Sequence, residues 1–253
     1  MYIDTHAHLY YDDLKNQLGD VVKRAEAAGV TQIICVGTDL PSSKMSISIA
    51  EKYNAVFATV GVHPHDVEDT PNDYLNQLKD LASHSKVVAM GEMGLDYFRD
   101  FSPRNVQKEV FLSQLALAQE LDLPVVIHNR DADEDILKIL EEVRFKRSVL
   151  HCFSSDTEMA RRAVSLGCLL SFTGNVTFGK NHTEAVLSAI PMDRIMLETD
   201  CPFMTPVPNR GKLNEPANIL HIAQRIAKVK RIDVSEVAES TTSRAQNFFD
   251  LPV

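Results

Sequence analysis

Asp4-Thr5-His6-Ala7-His8, near the start of the chain, sets a carboxylate and two imidazoles at alternate positions. In an extended strand alternate side chains share a face, so Asp4, His6 and His8 are expected on one face and Ile3, Thr5 and Ala7 on the other. A lone His-x-His is as often packing or surface histidine as ligand. The rest of the sequence tips that balance. Glu92 follows the apolar run Val87-Val88-Ala89-Met90-Gly91, His128 follows Val125-Val126-Ile127, His151 follows Val149-Leu150, and Asp200 follows Ile195-Met196-Leu197-Glu198-Thr199. Solvation does not explain ionisable groups placed repeatedly at the ends of apolar strands, because a buried charge needs a partner or a metal. Four histidines and two carboxylates form a donor set for two divalent cations, with a bridging carboxylate and an open position for water. The alternative, core histidines and edge carboxylates satisfied one by one, gives no reason for the repetition.

Such residues can meet only if the strands that carry them run parallel. Short β-rich runs alternate with longer amphipathic stretches along the chain, the pattern of a parallel sheet with crossover helices. Strands are expected near 2–8, 32–37, 56–62, 87–93, 124–128, 148–152, 169–173 and 195–199. Helices are expected near 12–28, 41–53, 71–84, 103–121, 131–143, 156–166 and 182–190, with two more near 217–229 and 233–248 covering the outside or the end. Phe111, Leu115, Ala118 and Leu121 put one apolar stripe on the fourth of these helices. Thr70-Pro71-Asn72-Asp73 reads as an N-cap with proline at the first helical position, and Ser102-Pro103 repeats its first half. Eight strands in 253 residues fit an α/β fold of the (β/α)₈ TIM-barrel type, a single domain over 1–253. In that fold the C-terminal strand ends converge on one mouth, where active sites sit. The Pro-rich stretch from Cys201 to Pro216 is expected to be an ordered functional loop beside it.

Composition removes several function classes. With 26 Lys+Arg against 35 Asp+Glu the net charge is −9, so a generic basic nucleic-acid binder is excluded. No apolar run approaches the roughly 20 residues of a membrane-spanning helix. No signal peptide is recognised before Tyr2. Cys35, Cys152, Cys168 and Cys201 form no C-x-x-C pair and read as reduced, mostly buried thiols of a cytoplasmic protein. No obligate protein partner is indicated, and a monomer is expected.

The chain resembles the TatD family of metal-dependent hydrolases, (β/α)₈ barrels whose members include deoxyribonucleases. The resemblance covers essentially the whole chain. It rests on Tyr2-Ile3-Asp4-Thr5-His6-Ala7-His8, Gly61-Val62-His63-Pro64-His65, Gly91-Glu92-Met93-Gly94-Leu95-Asp96-Tyr97, Pro124-Val125-Val126-Ile127-His128-Asn129-Arg130, His151-Cys152-Phe153 and Glu198-Thr199-Asp200-Cys201-Pro202. By that resemblance His6, His8, Glu92 and Asp200 hold one metal and Glu92, His128 and His151 the other, with Glu92 bridging. Two features depart from the family pattern. Tyr10 and Tyr11 stand where an Asp or Asn often follows the His-x-His, and Gly179 is an extra glycine before Lys180 in Val176-Thr177-Phe178-Gly179-Lys180-Asn181.

Around the ligands, His63 and His65 share strand parity and can reach a phosphate or leaving group, the role the family motif implies. Their alternative is an imidazole bonded to a loop carbonyl. Arg130 shares the parity of His128 and can clamp a phosphate, or else pair with Asp131, Asp133 or Glu134. Glu198 has the parity of Asp200 and is expected to support a ligand from behind. Arg210 and Lys212, in the loop after the last strand, are either phosphate contacts or a solvated pair. Asp200, with Glu92 and His63, is expected to carry the chemistry.

The function expected is cleavage of DNA phosphodiester bonds, on single strands or 3′ ends, by metal-activated water with Asp200 as base. A dimetal hydrolase of a small ester, lactone or amide is the alternative, and a non-enzymatic metal-stabilised scaffold a third reading. Histidine ligands favour Zn, Mn, Ni or Co, whereas the resemblance implies Mg.

Overall fold

The structure is a computed structural model that describes residues 1–179 and 182–252. Its strands are β1 (Tyr2–Ala7), β2 (Val30–Val36), β3 (Val56–Val60), β4 (Val87–Asp96), β5 (Val125–Arg130), β6 (Ser148–Leu150), β7 (Leu169–Phe172) and β8 (Ile195–Leu197). They pair in sequence order, all parallel, as one sheet. The helices are α1 (Asp12–Lys15), α2 (Leu18–Ala27), α3 (Leu40–Lys52), α4 (Tyr74–Ala82), α5 (Arg104–Glu120), α6 (Asp133–Val143), α7 (Thr157–Ser165), α8 (Thr183–Ala189), α9 (Ile219–Lys230) and α10 (Val234–Phe249). No helix among the described residues is long and apolar enough to cross a membrane.

The seam between β8 and β1 is stitched by backbone beside the site itself. Ala7 bridges Cys201, the Asp200 N–H donates to the His6 carbonyl at 2.9 Å, and the His8 N–H donates to the Cys201 carbonyl at 2.7 Å. Below them Asp4 accepts the Thr199 N–H at 2.8 Å and the Thr199 hydroxyl at 2.6 Å. Burial pushes the Asp4 carboxyl up to about 7 despite those bonds.

Ile3, Val36, Phe57, Ala89, Val126, Val149, Leu169 and Met196, one from each strand, fill the barrel interior together with Phe248, Phe249 and Leu251 from the chain's end. Alternate strand residues such as Cys35, Val60, Met90 and Ile127 face the helices. The end of α10 and the residues after it are tied to the barrel's N-terminal rim, with Arg147 donating to the Phe248 carbonyl, Gln32 to the Pro252 carbonyl and Thr242 to the Met1 carbonyl. The last turn is therefore a floor under the barrel. Phe249→Ala is expected to leave a void there and lower stability by about 3–5 kcal/mol, read as a lower urea midpoint at unchanged slope. An unchanged midpoint would show that the floor carries no core energy.

Of the register shifts in the sheet, one in β1 and one in β4 set the direction of site residues. Between Asp4 and Ala7, three residues of β1 advance against two of β2, Ile33 to Cys35. Between Met90 and Met93, three residues of β4 advance against two of β5, Val125 to Ile127. Each extra residue is a bulge that flips the parity beyond it. Ile3 and Thr5 thus face inward below the bulge, Thr5 lying 3.3 Å from Ser171 across the interior, while His6 and His8 face inward above it. This corrects the expectation that Asp4 shares a face with His6 and His8. Asp4 belongs to the seam. In β4, Ala89 faces inward below the bulge and Glu92 above it, with Met93 turned to the helices. β4 can lie close to β5 there because Gly91 and Gly94 have φ of 138° and 143° and no side chain; a Cβ on Gly91 would sit 2.5 Å from the Val126 carbonyl oxygen.

Other boundaries differ for local reasons. The helix expected over 12–28 is split into α1 and α2 at Asn16–Gln17. The helix expected from Pro71 starts at Tyr74, since the Thr70 hydroxyl donates back to the Asp66 carbonyl instead of capping. Ser102 does not cap α5 either; its hydroxyl donates to the His65 carbonyl and ties two mouth loops together. Strands β4 and β5 run past Glu92 and His128, to Asp96 and Arg130, so those two expected ligands lie within strands rather than at their ends.

Candidate metal centre

All six expected ligands converge at the mouth, and Glu92 is at their centre. One of its carboxylate oxygens, Oε2, lies 3.3 Å from His6 Nε2 and 3.8 Å from His8 Nε2. The other, Oε1, lies 2.8 Å from His151 Nε2, 2.9 Å from His128 Nδ1 and 3.3 Å from His63 Nε2. Asp200 Oδ1 stands 3.5 Å from His8 Nε2 and 3.8 Å from His6 Nε2. Burial would raise the Glu92 carboxyl, but the imidazoles of His151, His63 and His128 outweigh it and hold it well below the usual range.

The protonation pattern shows what these groups are set up to hold. His8 Nδ1 faces the Val36 carbonyl at 3.0 Å, and a carbonyl only accepts, so Nδ1 carries the proton and Nε2 the lone pair. His128 Nε2 faces Asp96 Oδ2 at 3.1 Å, which leaves the lone pair on Nδ1. His151 turns Nε2 to Glu92, and its Nδ1 lies 3.6 Å from Glu198 Oε1. Burial disfavours charge on these three rings, but Asp200 beside His8, Asp96 and Glu92 beside His128, and Glu92 and Glu198 beside His151 outweigh it and raise all three, so without a cation protons lie between imidazole and carboxylate. A cation would take the place of those shared protons, and mixed imidazole and carboxylate donors suit divalent ions. The residues fit the metals that the motifs imply.

Neighbouring groups fix these rings. Tyr10, one of the departures from the family pattern, is buried with its hydroxyl 3.1 Å from His8 Nδ1 and 3.3 Å from Thr38 Oγ1. Glu198 Oε1 accepts the Cys152 N–H at 2.5 Å beside His151. Asp96, which the sequence reading left without a role, holds His65 Nε2 at 2.8 Å and His128 Nε2 at 3.1 Å. Its other oxygen accepts the N–H groups of Phe98 and Arg99. Burial opposes its charge, yet His128, His65 and the Arg99 N–H keep it ionised. From α5, buried Gln107 brackets Asp96 and buried Gln114 bonds both the N–H and the carbonyl of Val62. After Asp200, whose φ is 53°, buried Asn214 donates to the Thr199 and Phe203 carbonyls and anchors the expected Pro-rich loop.

His63 sits closer to the ligands than expected, near enough to Glu92 and His128 to count among metal-binding groupings. Its Nδ1, however, accepts the His65 backbone N–H at 3.1 Å, so neutral His63 carries its proton on Nε2. Burial lowers it to about 4 and keeps it neutral. Nε2–H is a donor that lies 3.3 Å from Glu92 Oε1 at the mouth, not a free lone pair. His65 is half-buried against Asp96 rather than on a loop carbonyl.

A cleft of about 940 Å³ opens over the centre, lined by His63, His65 and the expected ligands His8, Glu92, His128, His151 and Asp200, with Tyr11, Phe98, Phe101, Phe203, Arg99 and Arg130 around them. Arg130 pairs with none of the carboxylates considered for it: Asp133 is taken by Asn129 and Ser155, Glu134 by Arg162, and the Arg130 guanidinium lies 4.3 Å above the Phe98 ring. Arg210 and Lys212 do not line the cleft. Arg210 stacks on Phe178, 3.7 Å from its ring centre, and the Lys212 carbonyl closes a turn with the Thr205 hydroxyl. Among the described residues, the cations that line the mouth are Arg99 and Arg130. Arg99 and the rim aromatics were not foreseen, because parity says nothing about loop side chains. The glycine departure at Gly179 adjoins Lys180 and Asn181, which lie outside the described residues. Cys35, Cys152, Cys168 and Cys201 are all free thiols.

The family model for TatD related DNase matches residues 3–250. The metal-dependent hydrolase YabD of Bacillus subtilis is 44% identical over 252 residues, covering 98% of this chain and 99% of its own. The 3′-5′ ssDNA/RNA exonuclease TatD of Cronobacter sakazakii is 36% identical over 238 residues, covering 91% and 90%. Among solved structures, the TatD homologue YJJV of Escherichia coli superposes with a TM-score of 0.95 at 30% identity, covering 99% of this chain and 98% of that one. With its TIM barrel and its converging imidazoles and carboxylates, the chain belongs to the TatD family of metal-dependent hydrolases.

Proposed function

We propose that this chain is a phosphodiesterase that cleaves DNA on single strands or at 3′ ends with two divalent cations, Mg, Mn or Zn. The observation that carries the reading is the division of Glu92. Its Oε2 faces His6 and His8 while its Oε1 faces His128 and His151, so one carboxylate would serve two groups of imidazoles, each able to hold an ion. His6, His8, Glu92 and Asp200 would hold one ion, and Glu92, His128 and His151 the other. Two such ions supply Lewis-acid stabilisation of the attacking and leaving oxygens and lower the pKa of water.

The protein's own groups do the rest. Asp200, its carboxylate kept ionised against burial by His8, His6 and His151, orients the attacking water and takes its proton. His63 donates from Nε2 to a phosphate oxygen. Arg130 and Arg99, at the rim, meet the charge of the flanking phosphates. The net charge of −9 disfavours a long grip on duplex and suits engagement of a strand end by a few local cations.

The test is release of nucleotides from end-labelled single-stranded DNA beside a panel of esters, lactones and amides. Release is expected to stop with chelator and to return with added Mg or Mn. Hydrolysis of the panel with DNA left intact would overturn the reading in favour of a carbonyl substrate.

A further inference from the structure

Eight large hydrophobic side chains stand exposed among the described residues, and the aromatic ones are Tyr11 (41%), Phe98 (55%), Phe101 (63%) and Phe203 (48%). All four line the cleft over the metal centre. Scattered exposed apolar residues need no explanation, but exposed aromatics gathered at one polar site mark a ligand with flat apolar faces.

They form two walls. Tyr11 and Phe203 meet edge to face at 5.3 Å and both lie beside His8, at 6.0 Å and 6.3 Å between ring centres. On the other side Phe101 packs on His65 at 4.8 Å, and Phe98 lies under the guanidiniums of Arg130 and Arg99, 4.3 Å and 5.6 Å away. The first wall flanks the His8 and Asp200 side of the centre, the second the His65 and His128 side. The loop of the second wall is set by Asp96, which binds the Phe98 and Arg99 N–H groups and His128 together.

We infer that the two walls are stacking platforms for the bases on either side of the scissile phosphate, so that the site takes a dinucleotide step of a single strand, whatever its sequence. This rests on the phosphodiesterase reading above. A small ester or amide would occupy one wall and leave the other wet, whereas two bases joined by a phosphate present two flat faces with a charge between them. The cleft, about 940 Å³, is at the upper end of the range for small-molecule pockets and suits a ligand of that size. Stacking is indifferent to sequence because every base has a π-face. Bases paired within a duplex have no free face to offer, so the platforms select unpaired ends.

The test uses metal-loaded protein and oligothymidylates carrying one 2-aminopurine at the 3′ end or one position inward, with a phosphorothioate at the scissile link to block turnover. Wild-type protein is expected to quench the probe at both positions. Phe98→Leu should lose quenching at one position and Phe203→Leu at the other. In both variants the ratio of kcat/KM on unmodified oligonucleotide to that on methyl p-nitrophenyl phosphate should fall roughly tenfold or more, through KM. Both variants are at exposed positions, so circular dichroism should match wild type. Wild-type quenching and an unchanged ratio in both variants would overturn the platforms. Quenching lost as expected, with no phosphodiester hydrolysed by wild type under any metal, would uphold the platforms and sink the reading they rest on.

Discussion

Glu92→Gln is expected to lower turnover by at least about a thousandfold, beyond the loss typical of one removed hydrogen-bond donor, and to reduce metal content to less than one ion per chain. The substitution keeps the size of the side chain but removes the negative charge that faces five imidazoles at 2.8–3.8 Å. An amide has one oxygen that can ligate and one NH₂ nitrogen with no lone pair to give, so the NH₂ end would face either the His6 and His8 side or the His128 and His151 side with nothing to offer a cation there. No orientation of the amide serves both ions. Metal analysis of the purified variant beside its steady-state rate checks this. Two ions per chain together with near-normal turnover would show that Glu92 does not bridge.

Asp200→Asn separates base from ligand. Turnover should fall at least about a hundredfold, the range for losing a general base, while the ion held by His128, His151 and Glu92 stays bound. Folding should persist, because the backbone bonds that close the seam are made by the Asp200 N–H and the His6 carbonyl and not by the carboxylate. Single-turnover hydrolysis of a DNA substrate with metal content of the same preparation gives the answer. Normal rates at full occupancy would remove Asp200 from the chemistry and shift attention to His63 or Glu198.

How much of this was legible in the sequence follows from which interactions are local. The strand identities of His6, Glu92, His128, His151 and Asp200 follow from apolar runs and their ends, and eight parallel strands leave only one place for those ends to meet. Parity did not suffice. Counted from Ile3 and Ala89, both inward, strict alternation would turn His6 and Glu92 toward the helices, and only the extra residues in β1 and β4 bring them in. Bulges are visible in a pairing register and not in a single strand's composition. Thr70 and Ser102 have the chemistry of caps, yet each found a nearer carbonyl. Arg210 and Lys212 lie close in sequence to Asp200, but the loop anchored by Asn214 carries them away from the mouth. Asp96 was within reach, since it stands four residues beyond Glu92 with the same parity above the bulge. The aromatic rim was not, because it is assembled from separate loops.

The floor built by Phe248, Phe249 and Leu251, and the seam in which Asp4 holds Thr199 across 195 residues of sequence, bear on the order in which a growing chain acquires its site. During synthesis His6 and His8 leave the ribosome first and must wait for Asp200, and the barrel's interior stays open until the last turn of α10 arrives. A nascent chain stopped short of that turn would own all six proposed ligand side chains and still lack the enclosure that holds them in register. Metal binding is therefore expected to follow the docking of α10 rather than the emergence of the site residues themselves.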